Sequence, residues 1–511
     1  MKKRKWIAAA AVLLFIAAAA FIFRSAGTTS VQEAGGLSAP AEEGGPAEEN
    51  GMEKPYGTSE EETEKYAYPG ENNREDEEYR ETDVEEEPEG PAGALEEEDF
   101  VQKKIVVATD LHYLAEKLAG NRGPFFMAMA EQSDGRVLQY GWEVLDAFLD
   151  DVLEEKPDLV LLSGDLTLNG ERESHEELAE KLSVLTEHNI EVAVIPGNHD
   201  INNPYASAYT SDGVKPVESI TAEDFASIYA DYGYIAADSR DPNSLSYLYK
   251  LDDYYWLLCL DSCQYDPINQ VGGMIRRETY RWMEEILEEA WEQGAQIISV
   301  THHNLLDQSG VSKEFYDDCT IEHNEELVEL LSDNEVRLHL SGHLHLQHYL
   351  EDGDSGIAEM VTGSLVMAPC HYGILQIWNN GTLQYDAAEV DVDGWAERNH
   401  YKMRDLADFK AYSEQFLWNV SYSNAMQDLK KYVQRGELAL REMDMEEMAS
   451  FYAKMCVHYF GGRMYEIADE VKQEPAYQKW IDVEYVSELS DFLRNILEDD
   501  AKDFSKLTLP Y

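Results

Sequence analysis

Ser341-Gly342-His343-Leu344-His345 stands directly after the apolar run at residues 336–340, and the reading of the fold starts there. Two imidazoles two residues apart on a strand-to-loop turn can each aim a ring nitrogen at one cation, and the glycine lets the backbone bend without a Cβ penalty. A lone His-x-His pair is commonplace on protein surfaces. The reading therefore depends on whether other hard ligands arrive upstream in the same setting.

They do. Residues 105–108 form a short apolar strand ending in Thr109-Asp110-Leu111-His112, and residues 159–162 run into Ser163-Gly164-Asp165. Residues 192–195 lead to Pro196-Gly197-Asn198-His199-Asp200, and residues 297–300 deliver Thr301-His302-His303. Between these strands the spacing predicts helices: Leu138, Trp142, Leu145, Leu149 and Val152 mark one over residues 140–155, with Pro157 ending it. Further helices are expected over 173–188 and 278–291, and another strand over 255–260. Each candidate ligand thus lies at the carboxyl end of a strand, the edge at which open α/β sheets build their sites. Asp and His two apart there point the same way, so a carboxylate and an imidazole can share a cation. Asn198 offers a neutral oxygen, His199 can reach a substrate oxygen, and Asp200 is placed to orient that ring. His302 and His303 are adjacent, and alternation along a strand sends them opposite ways, so one of them is expected to ligate.

In order, Asp110-x-His112, Gly164-Asp165, Gly197-Asn198-His199-Asp200, His302 and Gly342-His343-x-His345 resemble the calcineurin-like metallophosphoesterase pattern, over roughly residues 103–390. The resemblance implies an α/β fold, a four-layer αββα sandwich of two mixed sheets flanked by helices. Apolar segments at 357–361 and 374–378 are expected to complete the second sheet. It further implies two metal ions, with Asp110, His112 and His345 on one, Asn198, His302 and His343 on the other, and Asp165 bridging. His302 rather than His303 takes the ligand role on the same ground. A spacing of about 3.5–4 Å between two cations suits in-line displacement at phosphorus by a bridging hydroxide. His199 is assigned to the substrate, donating to a phosphate oxygen or the departing alkoxide, with Asp200 behind it. Imidazole, carboxylate and amide without thiolate favour Mn, Fe or Zn. His303 is expected to face substrate or hydrogen-bond, and His175, His339, His348 and His371 to be structural or exposed, with His371, between Pro369 and Tyr372-Gly373, the first candidate for an exception.

Gly164-Asp165-Leu166-Thr167 with Asn169-Gly170-Glu171, then Thr362-Gly363-Ser364-Leu365 before Tyr372-Gly373, resemble the bacterial cyclic-nucleotide phosphodiesterase branch. Beyond residue 390 the pattern turns helical. Phe409, Tyr412, Phe416 and Val420 form one stripe; Met445, Met448, Tyr452, Met455 and Tyr459 form another, with Asp444 and Glu447 as its expected cap and Gly461-Gly462 as its stop. Leu489, Leu493 and Ile496 mark a last helix. This is similar to the small all-α C-terminal domain attached to that branch.

At the amino terminus, Lys2-Lys3-Arg4-Lys5 precedes an uncharged stretch at 6–23, which is expected to anchor the chain in a membrane with the remainder outside the cytoplasm, or to be cleaved as a signal. Residues 30–100 carry 25 acidic against four basic residues, the composition of a self-repelling spacer. The expected domains are therefore 1–30 anchor, 31–100 acidic linker, 101–390 metallophosphoesterase and 391–511 helical. A net charge of -62 over 511 residues argues against nucleic-acid polymers as partners. Five scattered cysteines do not make a disulfide scaffold. The functional expectation is an extracytoplasmic, membrane-tethered phosphodiesterase acting on small phosphodiesters such as cyclic nucleotides, with no protein partner implied. A phosphomonoesterase or nucleotidase on the same centre, or an inactive surface binding module, are the alternatives.

Overall fold

The computed structural model describes residues 99–308, 319–483, 486–498 and 502–510. The expected anchor and the acidic linker lie outside the described residues.

Fifteen strands follow one another along the described chain: β1 (Val101–Ala108), β2 (Leu159–Ser163), β3 (Glu191–Ile195), the hairpin β4 (Ser207–Thr210) and β5 (Gly213–Pro216), β6 (Ser239–Arg240), β7 (Tyr247–Lys250), β8 (Tyr255–Cys259), β9 (Gln296–Val300), β10 (Leu338–Ser341), β11 (His348–Glu351), β12 (Ala358–Val361), β13 (His371–Trp378), β14 (Leu383–Glu389) and β15 (Lys506–Leu509). They form a six-stranded sheet ordered β15-β14-β13-β1-β2-β3 and a seven-stranded sheet ordered β11-β12-β10-β9-β8-β7-β6, with the β4–β5 hairpin apart. Both larger sheets are mixed. In the first, β1, β2 and β3 run parallel and β13 is antiparallel to β1. In the second, β8, β9, β10 and β12 run parallel between antiparallel neighbours.

Alternation along β8 sets the layers. Leu257 and Cys259 join the core shared with β1, β2 and β3, while Trp256 and Leu258 point the other way, into a cluster with Trp282, Met283 and Ile286. Those last three belong to the helix Arg277–Gln293. On the outer side of the first sheet, Phe148 and Val152 of the helix Gly141–Glu155 and Leu178 and Leu182 of the helix Arg172–Glu187 close the core. Side chains that are fully buried here contribute about 1.5–3 kcal/mol each relative to exposure. The Tyr247 hydroxyl crosses between the sheets to the carbonyl of Val194 at 2.9 Å. The result is helix, sheet, sheet, helix, as the motifs imply.

Three details differ from the sequence reading. Residues 374–378 belong not to the second sheet but to β13 of the first, because β13 pairs antiparallel to β1 over Lys103–Val107. The helix Glu442–Phe460 begins one turn before its expected cap: Arg441 is the N-cap residue, and Asp444 instead binds the Arg441 guanidinium at 2.6 Å and Lys479 at 2.8 Å. After the C-terminal helices, β15 returns to pair with β14, so the helical region is followed by a strand of the catalytic sheet. All five cysteines are free and buried.

Candidate metal centre

Backbone pairing that begins in β1 and β2 continues past their ends. The amides of Asp110, His112 and Tyr113 donate to the carbonyls of Gly164, Asp165 and Leu166, each at 3.0 Å. The two ligand loops are thereby zipped to each other. Five expected ligands sit at positive φ: Asp110 at 53°, His112 at 43°, Asp165 at 49°, His343 at 70° and His345 at 57°. Such conformations cost non-glycine residues of order 1–3 kcal/mol each and persist only where surrounding contacts over-determine them. Close approach also explains the glycines. A Cβ on Gly197 would overlap the backbone nitrogen and carboxylate of Asp165, and one on Gly342 would overlap the Thr109 hydroxyl.

Asp110 Oδ2 accepts from the Thr109 hydroxyl at 2.9 Å and from the His343 amide at 3.0 Å. Its Oδ1 is buried and makes no hydrogen bond, with His345 Nε2 at 3.3 Å and His112 Nε2 at 3.8 Å. Asp165 Oδ1 accepts the His199 amide at 2.8 Å and lies 3.5 Å from His302 Nε2. Its Oδ2 lies 3.8 Å from His112 Nε2 and 3.9 Å from His199 Nε2. His112 and His345 bring their Nε2 atoms to 2.9 Å. Asp110, His112, Asp165 and His345 each offer a ligand atom within 4.8 Å of the others. On the far side of Asp165, Asn198 Oδ1 is 3.2 Å from His302 Nε2, and the His302 and His343 rings are centred 5.1 Å apart. All seven expected ligands therefore converge around Asp165.

These groups fit a pair of cations. A buried carboxylate oxygen without a donor is costly unless positive charge meets it, and the carboxylate, imidazole and amide set suits borderline divalent metals. Burial would raise the Asp165 carboxyl, but His199, His302 and His112 outweigh it and hold it well below the usual range. Burial drives His343 down to about 3 and His112 well below its ordinary value, so both present the neutral imidazole that metals bind. Burial lowers His302 too, yet Asp165 and Asp110 raise it to about 9. Its Nδ1 lies 2.9 Å from the Ser163 carbonyl, which turns Nε2 toward Asp165.

With this arrangement established, the match of residues 103–347 to the calcineurin-like phosphoesterase family profile decides the assignment. The chain carries a calcineurin-like phosphoesterase domain. It is a phosphoric ester hydrolase with a candidate dimetal centre. Residues 391–503 match a second profile, the C-terminal domain of cyclic nucleotide phosphodiesterase. No curated protein matches by sequence. Similar solved structures include a dimetal phosphatase from Danio rerio, at 11% identity and TM-score 0.41, covering 57% of this chain and 97% of that one. A structure titled PhoD follows at 13% identity and TM-score 0.34, covering 56% and 66%. Phosphopantetheinyl hydrolase from Mycobacterium tuberculosis follows at 11% and 0.26, covering 51% and 89%. Likeness of this degree does not bear on activity.

Two site residues of the phosphoesterase domain need separate treatment. His199 leans toward Asp165, but its ring is oriented by the Leu168 carbonyl, 2.6 Å from Nδ1, and not by Asp200. Asp200 instead accepts from the amides of Leu166, Thr167 and Gly197 and from the Thr167 hydroxyl, all between 2.8 and 3.1 Å. Through these loop amides and the hydroxyl it pins the β2 and β3 loops together. His303 makes 2.8 Å contacts to the Ser262 hydroxyl and the Val271 carbonyl, whereas His302 Nε2 faces Asp165. His175 and His339 are buried among hydroxyls. His348 stacks on Phe504, with centroids 3.9 Å apart, and His371 is buried at the start of β13.

Sequence reasoning missed Glu359. This wholly buried carboxylate in β12 accepts from the Ser341 hydroxyl at 2.6 Å, from the Leu305 and Leu306 amides at 2.8 and 2.6 Å, and from the Gln308 side chain at 2.7 Å. It ties the end of β10 to the loop after His302. An acid in the middle of the apolar segment at 357–361 was the available signal. Ser364, part of the Thr362-Gly363-Ser364-Leu365 motif but given no role there, donates to the Asp110 carbonyl at 2.8 Å.

Proposed function

We propose that this hydrolase cleaves small phosphodiesters, cyclic nucleotides foremost, outside the cytoplasm while held to a membrane by its amino-terminal segment. The observation that carries the substrate class is the match of residues 391–503 to the C-terminal domain of cyclic nucleotide phosphodiesterase, in a chain whose residues 103–347 match a phosphoesterase domain. The basic residues 2–5 before the uncharged stretch 6–23 support the location; among the described residues no helix is long and apolar enough to cross a membrane. A charge of -62 disfavours polyanions and leaves a small phosphoester as the partner.

Asp110, His112 and His345 would hold one cation and Asn198, His302 and His343 the other, with Asp165 between them. Mn, Fe or Zn bound there would supply Lewis acidity toward phosphoryl oxygens and make a water acidic enough to ionise near neutrality. The chain supplies the rest. The Leu168 carbonyl takes the proton of His199 Nδ1 in a hydrogen bond, so Nε2 is the atom that faces the centre. There Nε2 can take the proton released by the attacking water and pass it to the leaving oxygen, the step at which a sugar alkoxide most needs an acid.

The test is turnover by the full chain reloaded with Mn2+, on cyclic AMP, a bis-nitrophenyl diester and the matching monoester. Faster turnover of the diesters is expected. Preference for the monoester would replace the proposal with a nucleotidase reading, and no metal-dependent turnover on any of them would end it. Protease treatment of intact cells, expected to remove the catalytic domain, checks the location.

A further inference from the structure

The ligand turn at residues 342–345 has two faces. His343 and His345 turn toward Asp110, Asp165 and His302, whereas Leu344 and Leu346 turn the other way. Leu346 is 2% exposed and lies inside the hydrophobic cluster of the C-terminal helices, with Met426, Met448, Met455, Trp480 and Ile496; Leu344 packs against the same cluster. The following residue continues the attachment. The Gln347 amide donates to the Phe460 carbonyl at 3.1 Å, at the end of the helix Glu442–Phe460, and its side-chain amide donates to the Phe504 carbonyl at 3.0 Å. His348 stacks on Phe504. Two strained ligand residues, at φ 70° and 57°, thus alternate with two leucines whose burial is supplied by another part of the chain.

We propose that the C-terminal helical region clamps the metal-ligand turn, with Leu344 and Leu346 as positioning residues that couple helix packing to metal affinity. Strain at His343 and His345 needs surrounding structure to hold it, and groups that orient metal ligands typically govern affinity by about 10–100-fold. Coupling of this kind is reciprocal: whatever factor helix packing adds to metal affinity, bound metal must return to helix stability. The clamp concerns binding geometry and holds whichever phosphoester is the substrate.

Two measurements on the full chain test it. In the first, chelator-stripped protein is titrated with Mn2+ for the wild type, Leu346→Ala and Ile496→Ala. Both substitutions open a cavity in the same cluster, and both are expected to lower the melting temperature. Leu346→Ala, which loosens the ligand turn directly, is expected to weaken Mn2+ binding by about 10-fold or more, and Ile496→Ala, which loosens only the helices, by a smaller factor. Equal effects of the two on affinity, or none from either, would overturn the clamp. The second needs no variant. Amide hydrogen exchange over the helix Glu442–Phe460, which holds no candidate ligand, is expected to slow on Mn2+ addition by more than exchange over Arg277–Gln293. Equal change in the two helices, or none in the first, overturns the coupling even if Leu346→Ala fails to fold.

Discussion

The candidate metal centre is built in two halves that are held in different ways. Asp110, His112 and Asp165 come from loops of the first sheet that hydrogen-bond to each other through backbone amides and carbonyls, with Asp200 bracing them against the β3 loop. His302, His343 and His345 come from loops of the second sheet, held by a buried carboxylate, Glu359, and by the C-terminal helices. The first half is local and made mainly of main chain. The second depends on side chains and on residues far along the sequence. Substitutions in the first half should therefore act on chemistry with little loss of folding, and those in the second should act on both.

Asp165 belongs to the first half but faces His302 of the second at 3.5 Å, and its loss should be the most severe. Asp165→Asn is predicted to lower kcat/KM on the order of 10³-fold, corresponding to several kcal/mol of transition-state stabilisation, with the melting temperature nearly kept. Glu359→Ala should separate the halves. It strands two amides, a hydroxyl and the Gln308 side chain, and is predicted to cost about 3 kcal/mol in urea unfolding along with weaker metal binding. If stability is unchanged, the second half does not need its buried acid. His199→Ala is predicted to slow cyclic AMP hydrolysis about 10²-fold and a nitrophenyl diester much less, because nitrophenolate leaves without a proton. Equal losses on both would remove the acid role. The smallest effect is expected for Asp200→Asn, about 10-fold in metal affinity, with the ratio of the two substrates unchanged because Asp200 does not touch the His199 ring.

The same division explains what the sequence made legible. Asp110, Asp165 and Asn198 each end a short apolar run, so local pattern alone puts them at one sheet edge, and alternation separates His302 from His303. The first half could be read because its supports are neighbours of the ligands. Asp200 was misjudged because its partners Leu166 and Thr167 lie 34 and 33 residues earlier; proximity in sequence to His199 suggested a pairing that tertiary contact overrides. Residues 374–378 have the alternation of any half-buried strand, and nothing in that pattern names the sheet they enter. The brace on residues 342–346 was the least legible. A stripe of methionine and aromatic residues at 445–459 reads as a helix core, and periodicity does not reveal that Leu346 fills part of it.

The return of β15 to the edge of the first sheet has a bearing on how the enzyme comes into being. Phe504 meets Gln347 and His348, and Lys506–Leu509 lies along β14. A chain made from its amino end therefore sets its carboxylates in place more than three hundred residues before residues 504–509 arrive to support its histidine turn. We predict that nascent chains halted before residue 504 bind Mn2+ more weakly than chains extended beyond residue 509. Hydrolysis would then be withheld from the growing polypeptide until residues 504–509 are in place.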